Sequence, residues 1–292
     1  MDPTASPGLA SSSRRGSAFA LCERDPMPST LEALWATLRR DAVEAIEQDA
    51  ALAPAITDAV LRHASFGEAL AHRLARKLAD ADLPEPEMDR LAQEVFGLNP
   101  GMLHAASFDL MAVRERDPAT PDLLTPLMFY KGFLSLQAYR LSHALWRRGR
   151  AYLARHIQAR SSEVFAVDIH PAARLGCGIM IDHGTSVVVG ETAVIEDDVS
   201  ILQEVTLGGT GKECGDRHPK IRRGVLLGAG VKVLGNIEVG AGAKVGAGSI
   251  VLEDVAPHTT VVGVPARPVG PRLTGMPALT MDQMLPPPDY VI

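Results

Sequence analysis

The sequence predicts an α + β chain of two domains, an N-terminal α-helical domain followed by a triangular β-helix of six-residue repeats. Three observations carry this expectation. Only 13 of the 292 residues are aromatic; twelve stand at or before Phe165, and the last is Tyr290. From Val167 to Gly270 the chain holds 18 of its 26 glycines and 26 Val or Ile. Within that stretch an aliphatic residue returns at every sixth position. A core without rings has to be packed from small branched side chains in a regular arrangement, and a chain of this length leaves room for about two domains.

Bulk composition narrows the class. With 46% hydrophobic and 22% charged residues the chain is globular and long enough to bury a large core. No apolar run approaches the ~18 residues of a membrane-spanning helix. A net charge of −6 argues against a nucleic-acid binder. Cys22, Cys177 and Cys214 are odd in number and lack CxxC spacing. This fits a reducing compartment, taken here as the cytoplasm, and gives no zinc signature.

Residues 1–28 are rich in Ser, Gly, Pro and Ala and read as a disordered tail. Their longest apolar stretch, Ala18 to Cys22, is too short for a signal peptide. Ser and Arg there resemble a transit peptide weakly, and Asp2, Glu23 and Asp25 count against one; Met27 is a second candidate start. The helical domain spans 29–160. Ser29-x-x-Glu32 has the form of a capping box ahead of Leu31, Leu34, Trp35 and Leu38. Breaks at Pro54, Gly67, Pro84, Pro86 and Asn99-Pro100-Gly101 divide helices near 30–48, 53–64, 67–80, 86–97 and 100–114. A longer helix or pair follows at 122–160. Its stripe Phe129, Tyr130, Phe133, Leu136, Tyr139, Leu141 and Trp146 has the spacing of a helix–helix core.

The β domain spans 161–270. Hexads begin at Ile169, Leu175 and Ile181, again at Val189, Ile195 and Ile201, and again at Ile221, Leu227, Val233, Val239, Val245 and Val251. The second position is often Gly and the fifth is small or β-branched. The physical reading is a coil of parallel strands in which one aliphatic residue per side points to the axis and a tight turn, eased by Gly, ends each side. Three sides take ~18 residues, and coils stack at strand spacing, ~4.8 Å. An axis this narrow has no room for a ring. Two breaks interrupt the period: a shift of two residues between Ile181 and Val189, and eight extra residues between Leu207 and Ile221, which extrude a loop at 208–220. Loops leaving a rigid scaffold often carry function. After Gly270 the repeat stops, and 271–292, with three consecutive prolines and no helical period, reads as a flexible tail.

Candidate chemistry collects at these breaks. Of nine histidines, His170, His183 and His218 lie near breaks or corners of the repeat. Asp182 precedes His183 directly, and Asp216-Arg217-His218 stands in the extruded loop. Asp168 precedes His183 by 15 residues, close to one coil, which predicts the two on adjacent coils near one corner. A carboxylate against one ring nitrogen makes the other a better base. A zinc site of the γ-carbonic anhydrase kind needs a His-x4-His pair, and none is present.

Several segments resemble bacterial and plant serine O-acetyltransferases: Asp168-Ile-His-Pro-Ala-Ala, GIMIDHGTSVVVGETAVIEDDVSILQEVTLGGTGK at 178–212, GDRHPKI at 215–221, RERDPA at 114–119 and TPLMFYKGFLSLQAYR at 125–140. The resemblance covers roughly 29–270. It implies a left-handed parallel β-helix behind the helical domain, trimers with active sites between neighbouring prisms, and trimers paired into hexamers. The implied reaction moves acetyl from acetyl-CoA to the hydroxyl of L-serine, giving O-acetyl-L-serine for cysteine synthesis, without a metal. It implies His183 as general base and Asp168 as its orienting carboxylate. Asp117 and Asp182 then hold the serine substrate, and Arg217 and His218 receive its carboxylate, with His218 counted among the catalytic residues as well. Along the prism, Gly209 and Ala229 match positions against the CoA arm and Lys244 a contact to its nucleotide end, with Arg267 a further candidate. PHTTVVGVPAR at 257–267 resembles the closing turn of hexapeptide acyltransferases generally. The resemblance further implies L-cysteine as feedback inhibitor and O-acetylserine sulfhydrylase as a partner binding the terminal Ile292. The Asp-Tyr-Val before that Ile departs from the family's commoner acidic or Gly-rich ends. Two other readings remain at this point, a hexapeptide acetyltransferase for a sugar or homoserine and a non-catalytic scaffold for the sulfhydrylase. A sugar offers neither ammonium nor carboxylate to Asp117 and Arg217.

Overall fold

The computed structural model describes residues 30–211 and 214–285. The Ser29 cap, the N-terminal tail and Ile292 lie outside the described residues. The helical domain comprises α1 (Thr30–Gln48), α2 (Ala53–Ile56) running into a π-helical turn at Thr57–Leu61, α3 (Phe66–Leu78), α4 (Glu85–Leu98), α5 (Pro100–Arg116), α6 (Leu124–Phe129), α7 (Lys131–Arg147) and α8 (Ala151–Phe165). The start of α3 is capped reciprocally: the Ser65 hydroxyl accepts from the Glu68 N–H at 3.2 Å, and the Glu68 carboxylate accepts from the Ala64 N–H at 2.9 Å. Residues 122–160 hold three helices where periodicity suggests one or two, because the backbone turns extended at Tyr130 and left-handed at Gly149. The aromatic stripe is core at Phe133 and Tyr139, whereas Phe129 points to solvent.

The prism starts directly after α8. Its first coil is β1 (Val167–Ile169), β2 (Arg174–Leu175) and β3 (Met180–Ile181). The second is β4 (Val187–Val189), β5 (Val194–Ile195) and β6 (Ser200–Ile201). The third is β7 (Thr206–Gly208), β8 (Lys220–Ile221) and β9 (Leu226–Leu227). The fourth is β10 (Lys232–Leu234), β11 (Glu238–Val239) and β12 (Lys244–Val245). Then come β13 (Ile250–Val251) and the antiparallel pair β14 (Thr260–Gly263) and β15 (Ala266–Val269). Strands three apart pair in parallel up to β13, and β14 then pairs with β12, giving three faces: β1-β4-β7-β10-β13, β2-β5-β8-β11 and β3-β6-β9-β12-β14. Register records the repeat and its breaks. Val188 pairs with Thr206 and Lys232 with Ile250, 18 residues apart; Asp168 pairs with Val188, 20 apart; Thr206 pairs with Lys232, 26 apart.

The interior is aliphatic throughout. Ile195, Ile201, Leu207, Ile221, Leu227, Val233, Val239 and Val245 are fully buried. So are the fifth positions of the hexads, Val199, Val205, Val225, Val231 and Ala243, so each side contributes two inward residues rather than one. The glycines divide into two kinds. Gly230, at a fourth position, holds φ +72°, which a side chain rarely adopts. Gly228, at a second position, is needed for closeness, since a Cβ there would stand 2.7 Å from the Ala247 nitrogen of the next coil.

Buried polar contacts join the two domains. Arg140 on α7 is clamped by the Asp109 carboxylate at 2.9 and 2.7 Å and donates to the Gly176 carbonyl at 2.8 Å. The same Asp109 accepts from Gln137 at 3.0 Å and from the Ile179 N–H of the first coil at 3.0 Å. Tyr139 donates to the Ala173 carbonyl at 2.6 Å. Arg116, at the end of α5, reaches Asp198 and the Ser200 hydroxyl at 3.2 and 3.1 Å. Past the β-helix, α9 (Pro277–Thr280) packs Ala278, fully buried, on the third face, and the Ser200 hydroxyl donates to its carbonyl at 2.9 Å. The chain to Leu285 is therefore docked where the sequence suggests a free tail. Among the described residues no helix is long and apolar enough to cross a membrane.

Asp109→Ala leaves a buried guanidinium without its counterion and is expected to cost about 3 kcal/mol or more of stability, measured by denaturant unfolding. The paired change Asp109→Leu with Arg140→Met is expected to recover only part of that loss, because the buried Gln137 amide and Ile179 N–H still lack their acceptor.

Candidate active site

The two repeat breaks place the candidate residues at two different corners of the prism. At the corner between the third and first faces, the two-residue insertion forms a tight turn in which the Gly184 N–H meets the Asp182 carbonyl at 2.6 Å. His183 takes φ 57°, a left-handed conformation uncommon outside Gly. The turn cannot fold inward, because the start of α7 lies against it: a Cβ on Gly132 would stand 1.9 Å from the Ile181 carbonyl oxygen. The His183 side chain is consequently 71% exposed, with Nε2 3.8 Å from the Asp182 carboxylate.

The helical domain adds Asp117 to this corner. It ends α5, and its carboxylate accepts from the Ala119 N–H at 2.8 Å and the Thr120 hydroxyl at 2.6 Å. Burial pushes the Asp182 carboxyl above its ordinary range; the His183 ring opposes this, and the nearby Asp117 carboxylate adds to it. Two carboxylates beside an exposed imidazole make a receptor for an ammonium group next to a base.

The other corner lies between the first and second faces, where β4 turns into β5 and the extruded loop leaves β7. Arg217 pairs with Glu191 at 2.7 Å, which holds the Glu191 carboxyl below its usual range. His218 is buried over Gly190, where a Cβ would stand 2.0 Å from the ring. Its Nδ1 receives the Thr192 N–H at 3.2 Å and faces the Thr192 hydroxyl at 2.9 Å. Burial, with Arg217 beside it, lowers the His218 pKa and favours the neutral ring. Gly209 lies under Arg217, whose carbonyl would be 3.3 Å from a Cβ there. This corner offers a guanidinium and a neutral N–H donor, a receptor for a carboxylate.

Asp168 does not meet His183. It stands on the outward side of β1, between the two corners, and accepts from Gln158 at 2.7 Å. A regular 18-residue coil would bring the two residues to one corner. Across the inserted turn the coil takes 20, so Asp168 pairs with Val188 and His183 falls around the corner. Lys244 is also elsewhere engaged: it is buried, and its ammonium donates to the Met284 and Asp282 carbonyls at 2.6 and 3.2 Å. Ala229 is half-buried in the turn after β9, on the His183 side, and Arg267 is exposed beside Glu253 at 3.3 Å.

Glu191 and Thr192 were not singled out from sequence. Each lies 26 residues before its partner, Arg217 or His218. That interval is one 18-residue coil lengthened by the eight-residue extrusion, so counting through the break would have paired them. A groove of about 620 Å³ in the helical domain, between Leu34, Phe108, Met111 and Leu123, is lined by none of the candidate residues and contains no histidine. Among the described residues no group of three or more His, Cys, Asp or Glu could hold a metal ion.

Residues 34–138 match the family described as serine acetyltransferase, N-terminal, and residues 218–253 match the bacterial transferase hexapeptide repeat. The serine acetyltransferase of Salmonella typhimurium is 53% identical over 253 residues, 87% of this chain and 93% of that protein. A serine acetyltransferase solved in complex with cysteine superposes with a TM-score of 0.85 at 49% identity, over 87% of this chain and 99% of that one. The Brucella abortus serine acetyltransferase solved in complex with coenzyme A gives 0.81 at 47% identity, over 82% and 96%.

The acidic corner generates a pH prediction. Asp117→Asn removes a negative charge beside Asp182, so the Asp182 pKa is expected to fall from its raised position. Carbon-13 titration of the Asp182 carboxyl checks this; an unchanged or higher midpoint would contradict the coupling.

Proposed function

The chain belongs to the serine acetyltransferase family, acetyl-CoA-dependent acyltransferases, and on that premise we propose that it transfers acetyl from acetyl-CoA to the hydroxyl of L-serine, giving O-acetyl-L-serine. His183 acts as general base. It takes the hydroxyl proton as the serine oxygen attacks the thioester carbonyl carbon. The tetrahedral intermediate then expels the CoA thiolate, which recovers the proton from the imidazolium, so no acetyl-enzyme forms. Asp117 and Asp182 bind the ammonium, and Arg217 and His218 the carboxylate.

The observation that carries this reading is the matching of two corners to the two ends of an amino-acid zwitterion. Within one chain the corners are separated by a side of the prism, four residues from Ser186 to Gly190, or on the order of 13 Å at ~3.3 Å per residue. The two ends of serine are far closer together than that. The site is therefore completed between neighbouring copies of a trimer: one presents Asp117, Asp182, His183 and Ala229, and the next presents Gly209, Arg217 and His218. In the same arrangement the next copy's Asp168, on the face between its two corners, turns to the first copy's His183. Lys244 reaches the nucleotide end of CoA only once its contacts to 282–284 are released, and Arg267 supplies a weaker contact there. The cysteine bound in the solved relative shares serine's ammonium and carboxylate, so L-cysteine competes at the same corners. Hexamers form by pairing trimers through the helical domains, and Ile292 enters the sulfhydrylase partner.

His183→Ala is expected to lower kcat at least a hundredfold, the low end of a general base's contribution, without unfolding; near-native turnover would remove His183 from the role. Thiol release from acetyl-CoA is expected with L-serine and not with L-homoserine or a galactoside. Release with none would favour the scaffold reading. If the site spans two copies, mixing His183→Ala with Arg217→Ala chains restores part of the activity that each lacks alone. Deleting Ile292 is expected to abolish capture of the sulfhydrylase and leave turnover intact.

A further inference from the structure

At the carboxylate corner one hydroxyl ties the backbone of both receptor residues to the prism. The Thr192 Oγ1 accepts the main-chain N–H of Arg217 at 3.0 Å and that of His218 at 3.1 Å, and it faces the His218 Nδ1 at 2.9 Å. Both hydroxyl lone pairs are taken by N–H donors, so its proton is free to point at Nδ1. The Thr192 N–H reaches that same Nδ1 at 3.2 Å, and the Thr192 carbonyl accepts from Lys220 at 3.2 Å. Asp216 also interacts with the Thr192 hydroxyl and is drawn off by Lys220 at 2.7 Å. Wherever the hydroxyl proton points, the main-chain donor alone keeps Nδ1 an acceptor. A neutral ring then carries its proton on Nε2, and Nε2 makes no hydrogen bond among the described residues.

We propose that Thr192 is a positioning residue for the acyl acceptor: its hydroxyl pins the backbone of Arg217 and His218 to the corner and, with its own N–H, locks His218 in the Nε2–H form that donates to the substrate carboxylate. His218 is on this view a donor of fixed tautomer and not a second base. Burial over Gly190 supports this by disfavouring the charged ring. The proposal rests on the reading that Arg217 and His218 receive the carboxylate.

Steady-state kinetics of Thr192→Val and Thr192→Ser, with both substrates varied, test it. Thr192→Val keeps the shape and removes the hydroxyl. It is expected to raise the KM for L-serine at least tenfold while kcat and the KM for acetyl-CoA stay within about threefold, and Thr192→Ser is expected to restore the serine KM to within about twofold of the parent. A serine KM unchanged in Thr192→Val, or an equal rise in both KM values, overturns the proposal. Nitrogen-15 histidine spectra of the unaltered enzyme give a second reading that needs no folded variant, with the His218 signal identified by its loss in His218→Asn. A neutral ring protonated at Nε2 is expected near pH 7, and an Nδ1-protonated or charged ring overturns the proposal. Arg217→Ala separates the premise. If it leaves the serine KM unchanged, the carboxylate reading itself fails; if it raises that KM while Thr192→Val does not, the Thr192 proposal alone fails.

Discussion

The six-residue register of the prism is the constraint on which the rest depends. Every strand hydrogen-bonds to the strand one coil away, and two aliphatic residues per side fill the axis. Changing the spacing by even one residue would turn the inward set outward along that side. A chain under this condition can add residues only at a corner and only by throwing them out of the ladder. The two additions, of two residues at 182–186 and of eight in the loop before β8, are thus the places where side chains escape the packing rule. The first sets His183 on a left-handed backbone, facing solvent. The second brings Arg217 and His218 back against Glu191 and Thr192. A regular ladder elsewhere is what makes these two departures rigid enough to position chemistry.

The helical domain has a comparable task at the other side of the acidic corner. Asp117 belongs to no repeat; it is the residue that ends α5. Its placement beside Asp182 follows from the contacts that seat α5 and α7 on the first coils, through Asp109, Arg140, Arg116 and the close approach of Gly132 to Ile181. Such buried polar contacts are poor sources of net stability but fix geometry, since each is satisfied in one arrangement.

How much of this was legible depended on whether a residue's role is local. Hexad periodicity, the two breaks and most helix boundaries follow from spacing and turn chemistry, and they appear in the structure as read. The joining of 122–160 into one or two helices failed at Tyr130 and Gly149, where no proline marks the break. Spacing pairs Asp168 with His183 only for a constant coil length, and the inserted turn lengthens that coil to 20 residues. Glycine at the second hexad position suggests backbone relief from sequence, although at Gly228 its reason is contact with the next coil, which no single hexad reveals. The docking of 277–285 over Lys244 depends on Ser200, Gly224 and Leu226, all distant in sequence. Thr192 escaped notice because a threonine in a turn is ordinary until its partner 26 residues away is known.

The ringless β-helix also decides what light can report. Both tryptophans, Trp35 and Trp146, belong to the helical domain, and no aromatic residue lies between Ala166 and Asp289. Intrinsic fluorescence from residues 30–285 therefore arises in the bundle, and the prism contributes none of its own. It is sensed at its first coil, where Trp146 meets His170 edge-on at 5.3 Å. That ring pair makes Trp146 a native probe of whether the two domains are seated on each other.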